Sequence, residues 1–253
     1  MRQKFSVLLV AAAVAFLMVL PASAASLSVV IQPIQICDSG GLNCANAGRN
    51  LFEAEGDKIW AQAGIDLLFL SWTTYNNTNF LNLQVDADNN NFIDPGGEFD
   101  QLRSNPTSFG GSGTSTVLNM WFADLLDNST GFYGVTECAG CRNIAIGWDA
   151  VEGYSASGRL DTIAHEIGHS LGLGHTDFGA GGGNNLMTSG GSRNIPSTID
   201  DIFPDGAQLD QLTTAQINEA LSSTYVVPEP GTITLLGLGL AGVLARRRNR
   251  NKK

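Results

Sequence analysis

Residues Leu160 to His175 read LDTIAHEIGHSLGLGH, and they hold all three histidines of a 253-residue chain. An α-helix advances 3.6 residues per turn, so side chains four apart share a face. On a helix His165 and His169 therefore aim their imidazoles the same way, with Glu166 beside the first. Ile163, Ala164, Ile167 and Leu171 give that helix an apolar background. His175 lies six residues beyond His169, out of reach of a straight helix. Gly172 falls between them, and glycine readily takes the left-handed conformation that ends helices and reverses the chain. A turn at Gly172 predicts three imidazoles converging on one point. Three neutral nitrogens around an open fourth position make a zinc site, with Glu166 placed to take a proton from water there.

The stretch has the full HExxHxxGxxH pattern and resembles the metzincin zinc peptidases. The resemblance implies an α/β fold: a twisted mixed β-sheet, a backing helix and an active-site helix that binds zinc. It implies His165, His169 and His175 as zinc ligands and Glu166 as the catalytic general base. Metzincins also carry a methionine turn beneath the metal. Met187, in NNLMT, is the candidate, against the plainer reading of a core residue. A polarizable thioether suits such a floor. Two residues on stands Ser189, so this turn offers no tyrosine ligand. Thr176 after the third histidine is closest to the matrixin-like pattern.

Both ends of the chain differ from the middle. Residues 1–24 read as a secretory signal peptide: Arg2 and Lys4, an apolar run from Val7 to Leu20, then Ala22-Ser23-Ala24 at a cleavage site. Residues 228–253 combine Pro228-Glu229-Pro230, an apolar segment from Thr232 to Ala245 and a tail of arginines and lysines. This end resembles a PEP-CTERM sorting signal of Gram-negative bacteria that make extracellular polysaccharide. That resemblance implies recognition by an exosortase and removal of the tail. The plainer reading is a C-terminal anchor, although the apolar segment is shorter than a comfortable span. On either reading the body is exported, and the membrane is met only through the terminal segments.

The peptidase domain is expected over 25–227, long enough for one real core. It holds 23 of the 24 acidic residues but only Arg49, Lys58, Arg103, Arg142, Arg159 and Arg193 of the basic ones. So acidic a body disfavours nucleic acid and anionic membranes as partners. Cys37, Cys44, Cys138 and Cys141 are an even set in an exported chain, which points to disulfides. Three pairings exist. The local one, Cys37–Cys44 with Cys138–Cys141, needs no long-range assumption and is expected over a four-cysteine metal site or a redox CxxC.

Along the domain, Ser26–Ile36 reads as a strand, Leu51–Ala63 as a helix stopped by Gly64, and Ile65–Trp72 as a buried strand. Residues 104–116 read as a loop, and 116–126 as an apolar strand or the start of a helix. Arg142–Trp148 alternates and is expected, by the resemblance, to be the edge strand on the cleft rim. An edge strand offers a substrate backbone unpaired N–H and C=O groups. Leu212–Ser223 reads as a closing helix with a threonine cap.

A second stretch, DADNNNFIDPGGE, alternates Asp86, Asp88 and Asn90 as calcium loops do. Asn91 would take the left-handed turn, Phe92 would give its carbonyl, and Asp94 would ligate directly or through water. The acid expected at the end comes one residue late, at Glu98. An Asx-rich turn explains the stretch equally well. Together these readings predict a secreted zinc endopeptidase acting on protein or peptide substrates, with calcium as a candidate second ion. The competing class is a non-catalytic surface protein stabilised by zinc. Glu166 argues against it, since holding zinc does not need that carboxylate.

Overall fold

The long apolar strand β1 (Leu27–Cys37) organises the sheet. In a computed structural model that describes residues 27–90 and 92–228, its first half pairs in parallel with β2 (Ile65–Phe69) and its second half with β3 (Thr73–Asn76). On its other side lies β5 (Val117–Ala123), parallel, followed by β8 (Asn143–Gly147), also parallel. β7 (Gly134–Thr136) closes that side antiparallel to β8, so the order is β2-β1-β5-β8-β7. β9 (Val226–Pro228) pairs antiparallel with the start of β1, Leu27 opposite Pro228. A separate short pair joins β4 (Asn82–Leu83) to β6 (Leu125–Leu126).

Parallel strands covered on both faces read as continuous apolar runs, and every residue of β5 and β8 is buried. Successive side chains point to opposite faces. Leu118, Met120 and Phe122 enter one core with Ile144 and Ile146, while Trp121, Ala123 and Ala145 enter the other. The first core is covered by α1 (Glu53–Trp60) and α4 (Thr162–Ser170). Trp60 joins these helices, its indole N–H donating to the Ala164 carbonyl at 3.3 Å. The second core packs Phe99 and Leu102 of α2 (Glu98–Ser104) with Phe80, Leu83 and Val85. α3 (Trp148–Gly153) follows β8 directly, and α5 (Thr214–Ser222) closes the chain. Thr213 caps α5 through a reciprocal bond pair with Gln216, each member satisfying an orphan N–H of the other.

The α/β class and twisted mixed sheet agree with the sequence reading. One strand does not. Arg142–Trp148 is not the edge: β8 lies between β5 and β7, and Trp148 begins α3. The edge is the three-residue Gly134-Val135-Thr136, too short for a periodicity to announce it. Boundaries also move. The helix expected over 51–63 is regular only in α1 and tightens to a 3-10 turn at Ala61–Ala63 before Gly64, whose φ is 67°. The strand expected over 65–72 breaks after Phe69. The 104–116 loop contains a 3-10 turn at Pro106–Phe109. The expected signal peptide and the sorting segment from Glu229 onward lie outside the described residues.

Candidate metal centre

The helix α4 presents His165 and His169 on one face, as their spacing requires. Gly172, at φ 96°, reverses the chain, and His175 returns to that face. The His175 Nε2 lies 3.2 Å from the His165 Nε2 and 3.1 Å from the His169 Nε2. Each of the two helical rings has its far nitrogen on a carbonyl: His165 Nδ1 on Leu186 O and His169 Nδ1 on Leu173 O, both 2.7 Å. A carbonyl only accepts, so both Nδ1 atoms carry the proton and both Nε2 atoms present lone pairs. With the His175 proton on Nδ1, three Nε2 lone pairs would face one another, and a cation between them would satisfy all three. Bonds of about 2.0–2.1 Å to a tetrahedral zinc put neighbouring nitrogens about 3.3 Å apart, close to the observed edges. The donor set and its spacing therefore fit zinc.

Burial and mutual proximity keep the cluster neutral. The His165 pKa falls well below the usual imidazole value, chiefly through burial and then the Arg193 guanidinium and His169. Burial lowers His169 and His175 as well. Neutral imidazole is the ligating form.

Glu166, only 5% exposed, is held over the cluster by β7. The Thr136 hydroxyl lies 2.8 Å from its Oε2. A Cβ added at Gly134 would sit 2.8 Å from the Glu166 Cγ, so a glycine there lets the carboxylate lie against the strand. Burial pushes the Glu166 pKa up to about 7, against the lowering pull of the Thr136 bond. A carboxyl group with such a pKa can both take and return a proton near neutrality.

Met187 is fully buried below the helix. A Cβ at Gly168 would come within 2.4 Å of its sulfur, so the glycine inside the histidine pair makes room for the methionine. One guanidinium fixes this floor. Arg193 Nη1 donates to Leu186 O at 2.8 Å and to Thr188 O at 2.9 Å, on either side of Met187. Its Nε donates to Asp161 Oδ2 at 2.7 Å, at the head of α4. Both Nη1 hydrogens are thus engaged by carbonyls. The close Arg193–His165 approach is that of two donors sharing the Leu186 carbonyl.

Thr136, Gly134, Arg193 and Asp161 were not found by sequence reasoning. Nothing in local spacing marks them, because sheet pairing and a 32-residue separation bring them in.

The cysteine sulfurs sit at bonding distance in the two local pairs, Cys37–Cys44 and Cys138–Cys141. The second pair borders the cleft, where the Gly140 N–H donates to the His169 carbonyl at 2.9 Å. The acidic stretch is assembled in part. Carboxylate oxygens of Asp86, Asp88 and Asp94 lie within 4.8 Å of one another. Asn90 turns its side chain onto Asp88, at 2.9 Å, and its own oxygen accepts the Phe92 N–H. Phe92 itself is exposed. Glu98 stands outside the group, capping the Gln84 N–H at 3.0 Å. The left-handed residue described here is Asn89, at φ 56°; Asn91, expected in that role, lies outside the described residues.

Residues 226–248 match the model of the PEP-CTERM protein-sorting motif. The chain is similar in structure to a zinc-dependent peptidase from Methanocorpusculum labreanum (strain Z), at 14% identity over 76% of this chain and 99% of that one, with a TM-score of 0.40. A likeness of that depth assigns nothing by itself. No curated protein matches the chain. Among the described residues no helix is long and apolar enough to cross a membrane.

Proposed function

We propose that this chain is an exported zinc-dependent endopeptidase. The observation that carries the reading is the convergence of three imidazole nitrogens, His175 Nε2 lying 3.1–3.2 Å from the other two, with a buried carboxyl group beside them. His165, His169 and His175 hold the ion. Zinc bound there supplies Lewis acidity, lowering the pKa of water and polarising a carbonyl. Glu166 takes the proton of the attacking water and delivers it to the leaving amine. Thr136 orients the Glu166 carboxyl through its bond to Oε2. Leu186 O and Leu173 O fix the rings in the ligating tautomer. The outer side of β7 gives an extended substrate backbone a strand to pair with. Met187 forms the floor.

Calcium, which prefers oxygen ligands, is the ion that the gathered carboxylates of Asp86, Asp88 and Asp94 would take if the loop holds one. The sorting-motif match supports export and handling by exosortase-type machinery. Its first residues, Val226 to Pro228, are already paired to β1. Removal of the tail would therefore leave the domain ending on its own sheet, near Val227–Glu229.

The test is incubation of the purified exported protein with an unfolded protein and with peptides blocked at both ends. Internal cleavage that a chelator abolishes is expected. Absence of cleavage by zinc-replete protein would leave the non-catalytic class standing.

A further inference from the structure

The cleft above the histidines, about 950 Å³, is lined by three arginines, Arg103, Arg159 and Arg193. Two of them are closely paired with carboxylates. Arg103 bridges Asp100 at 2.6 Å and Glu137 at 3.1 Å, and Arg193 bonds Asp161 and two carbonyls. Arg159 is not. It is only 4% exposed, its Nε has no hydrogen-bond partner, and its Nη2 makes one long bond, 3.4 Å, to Gly190 O. The nearest carboxylate oxygen, Asp161 Oδ1, is 3.7 Å from Nε, beyond hydrogen-bond range. What holds this guanidinium is aromatic. Its carbon lies 4.2 Å from the Tyr133 ring centre and 5.4 Å from that of Tyr154. Ring faces attract a cation and fix its plane without using its N–H donors. Tyr133, Tyr154 and Gly190 line the same cleft.

Charge counting agrees. Asp161 faces both Arg159 and Arg193. Burial and the neighbouring Asp161 raise the pKa of Asp210, which disfavours a second carboxylate charge there. Asp161 lies 2.7 Å from Arg193 but 3.7 Å from Arg159, so its close contact goes to Arg193 and Arg159 is left with the weaker one. A buried charge without a close partner is costly. A planar guanidinium with free N–H groups matches a carboxylate in both shape and charge.

We propose that Arg159 is a specificity-determining residue that receives a carboxylate of the substrate, that of an aspartate or glutamate close to the scissile bond. This rests on the peptidase reading of the same cleft. The free C-terminus of a peptide offers the same chemistry, so the test separates the two sources.

Peptide libraries acetylated and amidated at their ends are digested with the exported protein, and the cut sites are read by mass spectrometry. In parallel, N-acetyl-aspartate amide, N-acetyl-asparagine amide and N-acetylalanine with a free carboxyl are titrated into the zinc-loaded wild type and Arg159→Gln. A charge-assisted bidentate pair discriminates by about tenfold or more. Cut sites should be enriched at least that much in Asp or Glu at one position. The aspartyl amide should bind that much tighter than the asparaginyl amide, and only in the wild type. Carboxylate binding to zinc itself would persist in Arg159→Gln, so the difference between the two proteins isolates the arginine. Wild-type protein that binds both amides equally overturns the proposal, whether or not Arg159→Gln folds. So does a preference confined to free C-termini, which would name the other source. Binding selectivity without cleavage would uphold the anion site and defeat the peptidase reading alone.

Discussion

The histidine centre and the acidic loop at 86–94 both gather three candidate ligands within 4.8 Å, yet they are built differently. In the centre the two helical ligands, His165 and His169, are oriented by groups that are not ligands. Leu186 O and Leu173 O hold the far nitrogens, and Arg193 holds the Leu186 carbonyl in turn. Both rings leave an Nε2 lone pair aimed at the place where His175 Nε2 also arrives. In the loop the carboxylates serve the loop's own backbone: Asp86 and Asp88 accept from the Asn90 N–H, and Asp94 accepts from the Ala87 N–H. Asp88 is exposed, and Asp86 and Asp94 are only partly buried. A polar turn is a complete account of those bonds. Proximity of ligand types is therefore weak evidence of a metal, and convergence of preoriented lone pairs is much stronger.

That contrast can be broken at its strong end first. Glu166→Gln removes the proton acceptor while leaving all three imidazoles in place. Hydrolysis should fall by about 10²–10⁴-fold with zinc content unchanged, read by a peptide assay and metal analysis on one sample. Near-normal turnover would remove Glu166 from the mechanism. Arg193→Gln attacks the support instead. It leaves Asp161 buried without its close cation, which should cost about 3–5 kcal/mol of stability. It should also weaken zinc binding, since the Leu186 carbonyl loses its anchor. Denaturant melts and a competitive zinc titration measure both, and unchanged zinc affinity would reduce Arg193 to a purely structural role. The loop should respond least. Asp86→Ala with Asp88→Ala should lower the melting temperature by a few degrees, about 1 kcal/mol in a domain of this size, and only when calcium is present. A wild-type melting temperature indifferent to calcium would make the stretch a turn and nothing more.

The same contrast explains what was legible in the sequence. His165, Glu166, His169 and the turn at Gly172 follow from helical period and from glycine's conformational freedom, both local properties. The Cys37–Cys44 and Cys138–Cys141 pairs were legible for the same reason, being separated by seven and three residues. The glycine between His165 and His169 was visible, but not its reason, since Met187 reaches Gly168 from another segment. Thr136 and Gly134 meet Glu166 only because β7 pairs antiparallel beside β8, and a three-residue strand carries no readable alternation. The misplaced edge strand has the same origin. Val, Ile and Ala mark β8 as buried strand, but only the partner on its far side decides whether a strand is an edge. Arg159 was legible only as one of the domain's few basic residues, and its environment is made by Tyr133, Tyr154 and Gly190 from three loops.

The central claim is that one ion held by three histidines makes this chain a hydrolase. Metal-free protein titrated with zinc, with blocked-peptide hydrolysis followed at each addition, tests it most directly. Activity should rise in proportion to zinc and level off at about one ion per chain, as a three-histidine site with an open position requires. Zinc bound at one per chain with no hydrolysis, or hydrolysis that does not depend on zinc, would contradict it.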